Sequence, residues 1–203
     1  MRRPSILITL VALAAGAIVA VSATASGKTP SRTSDTGSTS SAISPVTADV
    51  TDARLATAKY ATNLNRAKAD GYGILTKMIP MMGYHFINPK VKKFDVRKPP
   101  ILVYEHHGNT WQLGALEWVF TAMPAKPPLP GARYGVFGAA CHYRDGTVVF
   151  ANAQSMCAPK STTGAAFNFW HPRLITLHMW VWYPNPSGLY SGTNPMVVPF
   201  NNG

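Results

Sequence analysis

The stretch Leu177-His178-Met179-Trp180-Val181-Trp182-Tyr183 carries a large side chain at every position, and a Pro-Asn-Pro-Ser-Gly turn follows it. Successive side chains of an extended chain point to opposite faces, so His178, Trp180 and Trp182 are predicted to share one face. Bulky side chains on both faces are typical of a strand that is buried on both. A histidine in such a strand needs a polar partner, because an unpaired imidazole out of water is costly.

The rest of the chain contains one helical pattern and many strand patterns. Apolar residues recur at three- and four-residue steps over residues 51–70, which predicts one amphipathic helix. Runs bounded by Gly, Pro and Asn predict short strands over 83–87, 101–106, 113–120, 134–143, 147–151, 177–183 and 196–200. This order predicts an α+β, mainly β fold: an antiparallel sheet, sandwich or small barrel with one N-terminal helix.

The first 45 residues are predicted to lie outside the folded domain. Arg2 and Arg3 precede an apolar run over residues 6–21, and Ala23-Thr24-Ala25 supplies small residues for cleavage. This pattern is typical of a secretory signal peptide over residues 1–25. Residues 26–45 are rich in Ser and Thr, which predicts a disordered tether. We therefore expect a secreted or cell-envelope protein with one β-rich domain over 46–203 and no transmembrane span after cleavage.

The two cysteines, Cys141 and Cys157, both fall in the part that is predicted to be exported. An even count in an oxidising compartment predicts one disulfide bond. It would staple a hairpin that turns at Arg144-Asp145-Gly146-Thr147. Because the sequence contains no C-x-x-C spacing, the bond is interpreted as structural.

The charge balance narrows the class of partner. The formal net charge is +11, and removal of Arg2 and Arg3 leaves 17 basic against 8 acidic residues, or +9. For an exported protein this charge favours solubility or contact with anionic envelope polymers or lipid headgroups. The basic residues are scattered and no nucleic-acid-binding signature occurs, so we expect a small-molecule or envelope-polymer ligand and no nucleic acid.

Both glutamates of the chain, Glu105 and Glu117, lie inside apolar strand patterns. Buried carboxylates are normally paired or coordinate a metal. An odd-numbered loop between their strands would place them on one face, whereas a two-residue loop would separate them. A carboxylate pair for glycoside hydrolysis is a further option, although the chain offers little of the acidic surface expected around it.

Two histidines in apolar strands complete a candidate ligand set. His85 and His178 each have apolar neighbours on both sides in the sequence. With Glu105 and Glu117 they predict a site for a divalent transition metal, namely Zn, Mn, Fe or Cu. The alternative is a set of Glu–His or Glu–Arg hydrogen-bonded pairs inside a polar core.

The other four histidines are assigned simpler roles. His106 and His107 border a turn and are expected to be solvated, although they could bind a metal from the rim of the site. His142 follows Cys141 and is expected to pack beside the disulfide. His171 precedes a proline, which indicates entry into a strand.

Aromatic side chains supply a second kind of site. Trp118, Trp180, Trp182 and Tyr104 could wall a ligand pocket, since tryptophans stack well on sugar rings and apolar ligands. The alternative is that they only fill the core. Nucleotide-binding loops and a G-x-S-x-G nucleophile motif are absent from the sequence.

Several blocks of the folded part resemble a group of secreted bacterial proteins without an established activity. They are Ala-Asp-Gly-Tyr (69–72), Met-Gly-Tyr-His-Phe-Ile-Asn-Pro (82–89), Leu-Val-Tyr-Glu (102–105), Leu-Glu-Trp-Val (116–119) and Leu-His-Met-Trp-Val-Trp with the later Asn-Pro pairs (177–195). The resemblance implies export and no particular reaction. The prediction is therefore a His/Glu pocket that binds a metal, with or without catalysis; the alternative is a non-catalytic envelope module that binds a glycan or small apolar ligand through tryptophans.

Overall fold

The computed structural model describes residues 44–200 of the chain. The predicted signal peptide and all but the last two residues of the predicted tether lie outside the described residues. Nine strands occur within residues 44–200: β1 (Gly73–Ile79), β2 (Gly83–Ile87), β3 (Ile101–His107), β4 (Thr110–Phe120), β5 (Gly135–Phe137), β6 (Ala140–Tyr143), β7 (Val148–Phe150), β8 (Phe167–His171) and β9 (Leu174–Met179).

The strands form two antiparallel sheets. A six-stranded sheet has the order β1-β2-β3-β4-β9-β5, and a three-stranded sheet has the order β7-β6-β8. The α+β, mainly β prediction is confirmed. The predicted strand 134–143 is instead divided between the two sheets, since β5 pairs with β9 and β6 pairs with β7 and β8.

The predicted helix is present but interrupted. Helix α1 (Pro45–Thr57) is capped by the preceding Ser44, whose hydroxyl accepts a hydrogen bond from the Thr47 backbone N–H, and a 3-10 turn over Ala58–Tyr60 follows it. Helix α2 (Leu64–Ala69) then starts anew, because the Asn63 side chain accepts a hydrogen bond from the Arg66 backbone N–H. Within the described residues, no helix is long and apolar enough to cross a membrane.

The helices cover one face of the six-stranded sheet. Their apolar side chains pack with residues of β2, β3, β4 and β9, including Phe86, Leu102, Leu116, Trp118 and Leu177. The opposite face carries a smaller cluster that includes Ile101, Val103, Ala115 and Trp180. His85, Glu105, Glu117 and His178 belong to this opposite face.

Two other strand predictions were wrong. The strand over 177–183 ends at Met179, where the chain leaves the sheet and the Trp180 N–H donates to the Leu189 carbonyl. Residues 196–200 fall in a 3-10 helix (Pro195–Phe200) rather than an edge strand. The loop around Leu189 takes up the hydrogen bond that a neighbouring strand would otherwise provide, and sequence alternation alone cannot reveal this.

A β-bulge decides where the two glutamates lie. The loop between β3 and β4 contains only two residues, Gly108 and Asn109, which by itself would place Glu105 and Glu117 on opposite faces. The register then shifts, because Val103 lies opposite Ala115 whereas the next residue of β3 lies opposite Leu113. The extra residue in β4 reverses the alternation. Both glutamates therefore lie on the face opposite the helices.

The disulfide between Cys141 and Cys157 is present, as predicted. It ties β6 to a 3-10 turn over Gln154–Met156 that follows β7. Around it, Tyr143, Ala151 and Trp170 form a small apolar cluster of their own. The disulfide thus supports the three-stranded sheet, which is too small to bury a large core.

Candidate metal centre

His85, Glu117 and His178 come together from three strands of the six-stranded sheet. Glu117 on β4 lies directly opposite His178 on β9. His85 lies on β2, which is separated from β4 by β3. Since neighbouring strands lie roughly 4.8 Å apart, the side chains must reach across about 10 Å of sheet to meet. The sheet pairing therefore creates a group that no short sequence motif encodes.

The carboxylate of Glu117 presents one oxygen to each histidine. Its Oε2 lies 3.6 Å from Nε2 of His85, and its Oε1 lies 3.7 Å from Nε2 of His178. One ligand atom from each of the three residues can be chosen so that all lie within 4.8 Å of one another. These separations exceed hydrogen-bond length and approach the spacing of two ligands on one tetrahedral ion, about 3.3 Å. The group could bind a metal ion.

In the described part of the chain, a hydrogen-bond contact to a neighbouring side chain orients His85 but not His178. Nδ1 of His85 lies 2.9 Å from the Thr76 hydroxyl, so its Nε2 is the nitrogen that faces Glu117. Metal-binding histidines commonly have the distal ring nitrogen held by such a second contact. Within residues 44–200, neither ring nitrogen of His178 has a hydrogen-bond partner, although both are buried. A buried nitrogen without a partner is costly, and coordination to an ion would satisfy it.

Burial sets the protonation of the group. It lowers the pKa of His85 to about 3, with a smaller contribution from His178, and it lowers the pKa of His178 to about 4. Burial also raises the pKa of Glu117 to about 8. The metal-free group is therefore uncharged near neutral pH, with two neutral imidazoles and a protonated carboxyl. A divalent ion would displace that proton and pair with the resulting carboxylate.

The group lies at the wall of a cavity of about 180 Å³ between the two sheets. Apart from the ionisable residues and Thr76 and Thr176, its walls are almost wholly apolar and include Ile79, Ile101, Val119, Phe169 and Leu174. Val136 also lines it and is 56% exposed, so the cavity extends to the surface. An ion held by the three residues would thus face a small, apolar space rather than bulk water.

Glu105 shares the face but is not among the three converging residues. Its carboxylate lies against Gly83 and Gly114, where a Cβ on Gly83 would come within 2.6 Å of Oε1. Among the described residues, neither of its oxygens has a hydrogen-bond partner. Burial raises the pKa of this carboxyl to about 8, so it is protonated near neutral pH. The structure therefore brings together three of the four predicted ligands.

The predicted aromatic ligand-binding residues lie elsewhere. Indole N–H groups donate to backbone or hydroxyl oxygens: Trp118 to Asp95, Trp180 to Ser191, and Trp182 to Thr57. The Tyr104 hydroxyl donates to the Tyr60 carbonyl. None of the four lines the 180 Å³ cavity.

The structure places Trp182 and Trp118 in two different environments, both outside the 180 Å³ cavity. Because the strand ends at Met179, Trp182 packs on the helix side of the sheet rather than beside His178. Trp118 is buried but borders a wider and more polar groove of about 540 Å³ with Phe94, Lys92 and Lys93. That groove adjoins the apolar cavity, since Ile87, Val119 and Phe169 line both, but its remaining lining is more polar.

Four polar residues of the cavity wall, Thr76, His142, His171 and Thr176, were not predicted as site residues. Thr76 supports His85, whereas His142 and His171 line the cavity from β6 and β8. His106, one of the predicted rim histidines, stacks on Trp111, and His107 lies against Phe200. The alternation of Cys141-His142-Tyr143 could have indicated an inward histidine. Nothing in the sequence reveals that β8 pairs beside it.

Comparison with known proteins adds no assignment: no family model matches the chain, and neither a curated protein nor a solved structure is similar to it.

Proposed function

We propose that this is an exported metal-binding protein in which His85, Glu117 and His178 hold one divalent transition metal ion. The observation that carries the proposal is the convergence of three buried ligand atoms within 4.8 Å, with each Glu117 oxygen facing a different Nε2. Two imidazoles and one carboxylate suit Zn, Mn, Fe or Cu, and they form the three-ligand set of many catalytic metal sites.

The cavity supports an enzymatic role for this centre. Three protein ligands leave coordination positions for a substrate or solvent molecule, and catalytic sites characteristically retain such an opening. A bound ion polarises a substrate oxygen or activates water or dioxygen. The apolar walls would exclude bulk water and select a small apolar molecule. We therefore propose a metal-dependent enzyme that acts on a small, largely apolar substrate.

Export is part of the proposal. The disulfide is consistent with an oxidising compartment, where such bonds persist. The predicted signal peptide over residues 1–25 would direct the chain to export. The cell envelope or the surrounding medium is thus the proposed location.

The direct test is elemental analysis of the mature protein, purified without a chelator and without a histidine tag. We expect close to one tightly bound transition metal ion per chain. Glu117→Gln removes the only anionic ligand and should lose that ion. Glu105→Gln is the matched control, because it changes the other glutamate on the same face and should keep the ion.

The outcomes separate the alternatives. A folded, metal-free wild-type protein that takes up no metal on titration would overturn the proposal. Metal loss in Glu105→Gln as well as Glu117→Gln would return Glu105 to the ligand set. Retained metal in Glu117→Gln would move the ion away from this group. Glycan binding that disappears in Trp118→Ala, in a protein without metal, would instead support the envelope-module alternative.

A further inference from the structure

His142 and His171 form a second histidine pair on the other side of the same cavity. They lie on neighbouring strands of the three-stranded sheet, where Ala140 is opposite His171 and His142 is opposite Phe169. The two histidines are therefore diagonal neighbours on one face. The ring of His142 stacks on Phe169 at a centroid distance of 4.7 Å with an interplanar angle of 6°, which fixes its orientation. Both rings line the cavity that also contains His85, Glu117 and His178.

The hydrogen bonds of the pair determine which ring nitrogens carry protons. Nδ1 of His142 lies 3.2 Å from the Leu75 carbonyl oxygen, and Nδ1 of His171 lies 2.6 Å from the Pro172 carbonyl oxygen. A carbonyl oxygen only accepts, so each Nδ1–H is the donor. In the neutral rings, each Nε2 then carries a lone pair. The two Nε2 atoms lie 3.0 Å apart.

Two lone pairs at this distance repel each other unless something positive lies between them. A neutral ring that donates from Nε2 would turn the lone pair of its own Nδ1 toward a carbonyl oxygen, and a shared proton would place an imidazolium charge beside an almost wholly apolar cavity wall. A metal ion is the other possibility. With bonds of about 2.05 Å, two nitrogens on one ion lie about 2.9 Å apart at a right angle and about 3.3 Å apart at the tetrahedral angle.

We propose that His142 and His171 are two ligands of a second metal ion, Zn²⁺ or a similar borderline divalent ion, facing the same cavity. The 3.0 Å separation falls between the two geometries, and both Nδ1–H groups already make the backbone contacts that orient metal-binding imidazoles. The pair offers only two protein ligands and no carboxylate. It therefore binds more weakly than the group of His85, Glu117 and His178 and leaves positions for solvent or substrate.

The test is equilibrium dialysis of the chelator-treated full mature protein against Zn²⁺, with metal counted by elemental analysis. Four proteins are compared: wild type, Glu117→Gln, His171→Ala and the double variant. His171 is only half-buried, so its replacement spares the core better than that of His142. His107→Ala is the matched control, since it removes an exposed histidine that does not line the cavity. We expect two, one, one and zero bound ions, with two ions retained in His107→Ala.

The number of bound ions distinguishes a protein that lacks the second site from one that lacks the first. One ion in both wild type and His171→Ala would overturn the second site and leave the first intact. Two ions in both wild type and Glu117→Gln would overturn the first site. A second measurement avoids substitution altogether: long-range ¹H–¹⁵N NMR of the wild-type imidazoles. Zinc should shift Nε2 of both His142 and His171, and unchanged resonances at excess zinc would overturn the proposal.

Discussion

Glu117 is the residue on which the candidate centre depends, because it is the only acidic group in it. Its two oxygens face Nε2 of His85 and Nε2 of His178 at nearly equal distances. Either histidine alone could be satisfied by a simple hydrogen bond. A carboxyl placed symmetrically between two imidazoles, and too far from both to hydrogen-bond, is better suited to sharing an ion with them.

Thr76 provides a prediction at the residue scale. Its hydroxyl lies 2.9 Å from Nδ1 of His85 and holds the ring with Nε2 toward Glu117. Thr76→Val keeps the shape of the side chain but removes that contact, so we expect the affinity of the centre for zinc to fall by about 10- to 100-fold. Competition with a coloured chelator measures this affinity.

Thr76→Ser is the matched control for that prediction. It restores a hydroxyl at the same position and should recover most of the affinity. A Thr76→Val protein that binds zinc as tightly as wild type would show that the hydroxyl does not orient His85.

The residue scale also explains which ligands could be predicted from the sequence. His85, Glu117 and His178 stand out because ionisable side chains are rare in apolar strands and, when buried there, are paired or functional. Glu105 carries the same sequence signal. Glu117 lies opposite Ile101 at the start of β3, whereas Glu105 lies near the other end of that strand, over Gly83. This separation follows from strand pairing rather than composition.

At the scale of elements, the register of β2 against β3 depends on Gly83. This residue has φ of 112°, and a Cβ there would lie 2.6 Å from both the Tyr104 carbonyl oxygen and Oε1 of Glu105. Gly83→Ala combines a strained backbone with a clash against the Tyr104 carbonyl oxygen and the Glu105 side chain, so we expect the free energy of unfolding to fall by at least about 2 kcal/mol. Urea denaturation measures the change.

Gly73→Ala is the control within the same hairpin. Gly73 begins β1 and has no positive φ, and a Cβ added there would have no neighbouring atom within 4 Å. The substitution should change stability by well under about 1 kcal/mol. Equal losses in the two variants would contradict the role assigned to the close approach of Gly83 and Glu105.

The disulfide gives a prediction for the three-stranded sheet. Cys141 and Cys157 are 16 residues apart in sequence, so the bond restricts a short loop of the unfolded chain. The loop-entropy estimate is roughly 3 kcal/mol. We expect Cys141→Ala/Cys157→Ala to lower the free energy of unfolding by about this amount in urea. An unchanged unfolding midpoint would show that the sheet is held by the packing of Tyr143 and Trp170 alone.

Element boundaries mark the limit of prediction from alternation. The hairpin of β3 and β4 was recognisable from its apolar runs and the Gly108-Asn109 turn, but the bulge that places Glu117 was not. The strand ending at Met179 was predicted to continue because Trp180, Val181 and Trp182 alternate as strand residues do. In each case a hydrogen bond from a distant loop or strand outweighs the local pattern.

At the scale of the whole molecule, two sheets enclose one apolar cavity that carries ionisable groups on both sides. The six-stranded sheet contributes His85, Glu117 and His178, and the three-stranded sheet contributes His142 and His171. The mainly β class was predictable from the many short strands and the single helical pattern. The cavity was not, because it depends on how the two sheets face each other and no local sequence feature encodes that arrangement.

The buried carboxyls predict how the stability of the whole molecule depends on pH. Burial raises the pKa of Glu105 and of Glu117 to about 8, whereas both groups titrate near 4.5 in the unfolded chain. Between about pH 4.5 and 8 the folded protein therefore holds protons that the unfolded chain has lost, so its free energy of unfolding falls as the pH rises. The stabilising contribution of each carboxyl is fully present below its unfolded pKa of 4.5 and has been lost once the pH has passed its folded pKa of about 8.

The buried histidines act in a different pH window. Burial lowers the pKa of His85 to about 3 and those of His142 and His178 to about 4, against 6.5 in the unfolded chain. They therefore reduce stability as the pH falls below about 7, and between about pH 7 and 8.5 they contribute only a small slope of the opposite sign, roughly 0.5 kcal/mol for the three together. The alkaline slope of the metal-free protein thus belongs to the two glutamates.

We expect the metal-free protein to lose about 1 kcal/mol of unfolding free energy per glutamate between about pH 7 and 8.5, measured by urea denaturation with a chelator present. Glu105→Gln and Glu117→Gln should each remove about half of the slope, since glutamine does not titrate. Saturating zinc should remove the Glu117 share alone, because a coordinated carboxylate has already lost its proton. A metal-free protein whose stability is flat or rises over this range would contradict the burial of two protonated carboxyls. A zinc-independent slope would show that the ion does not bind at Glu117.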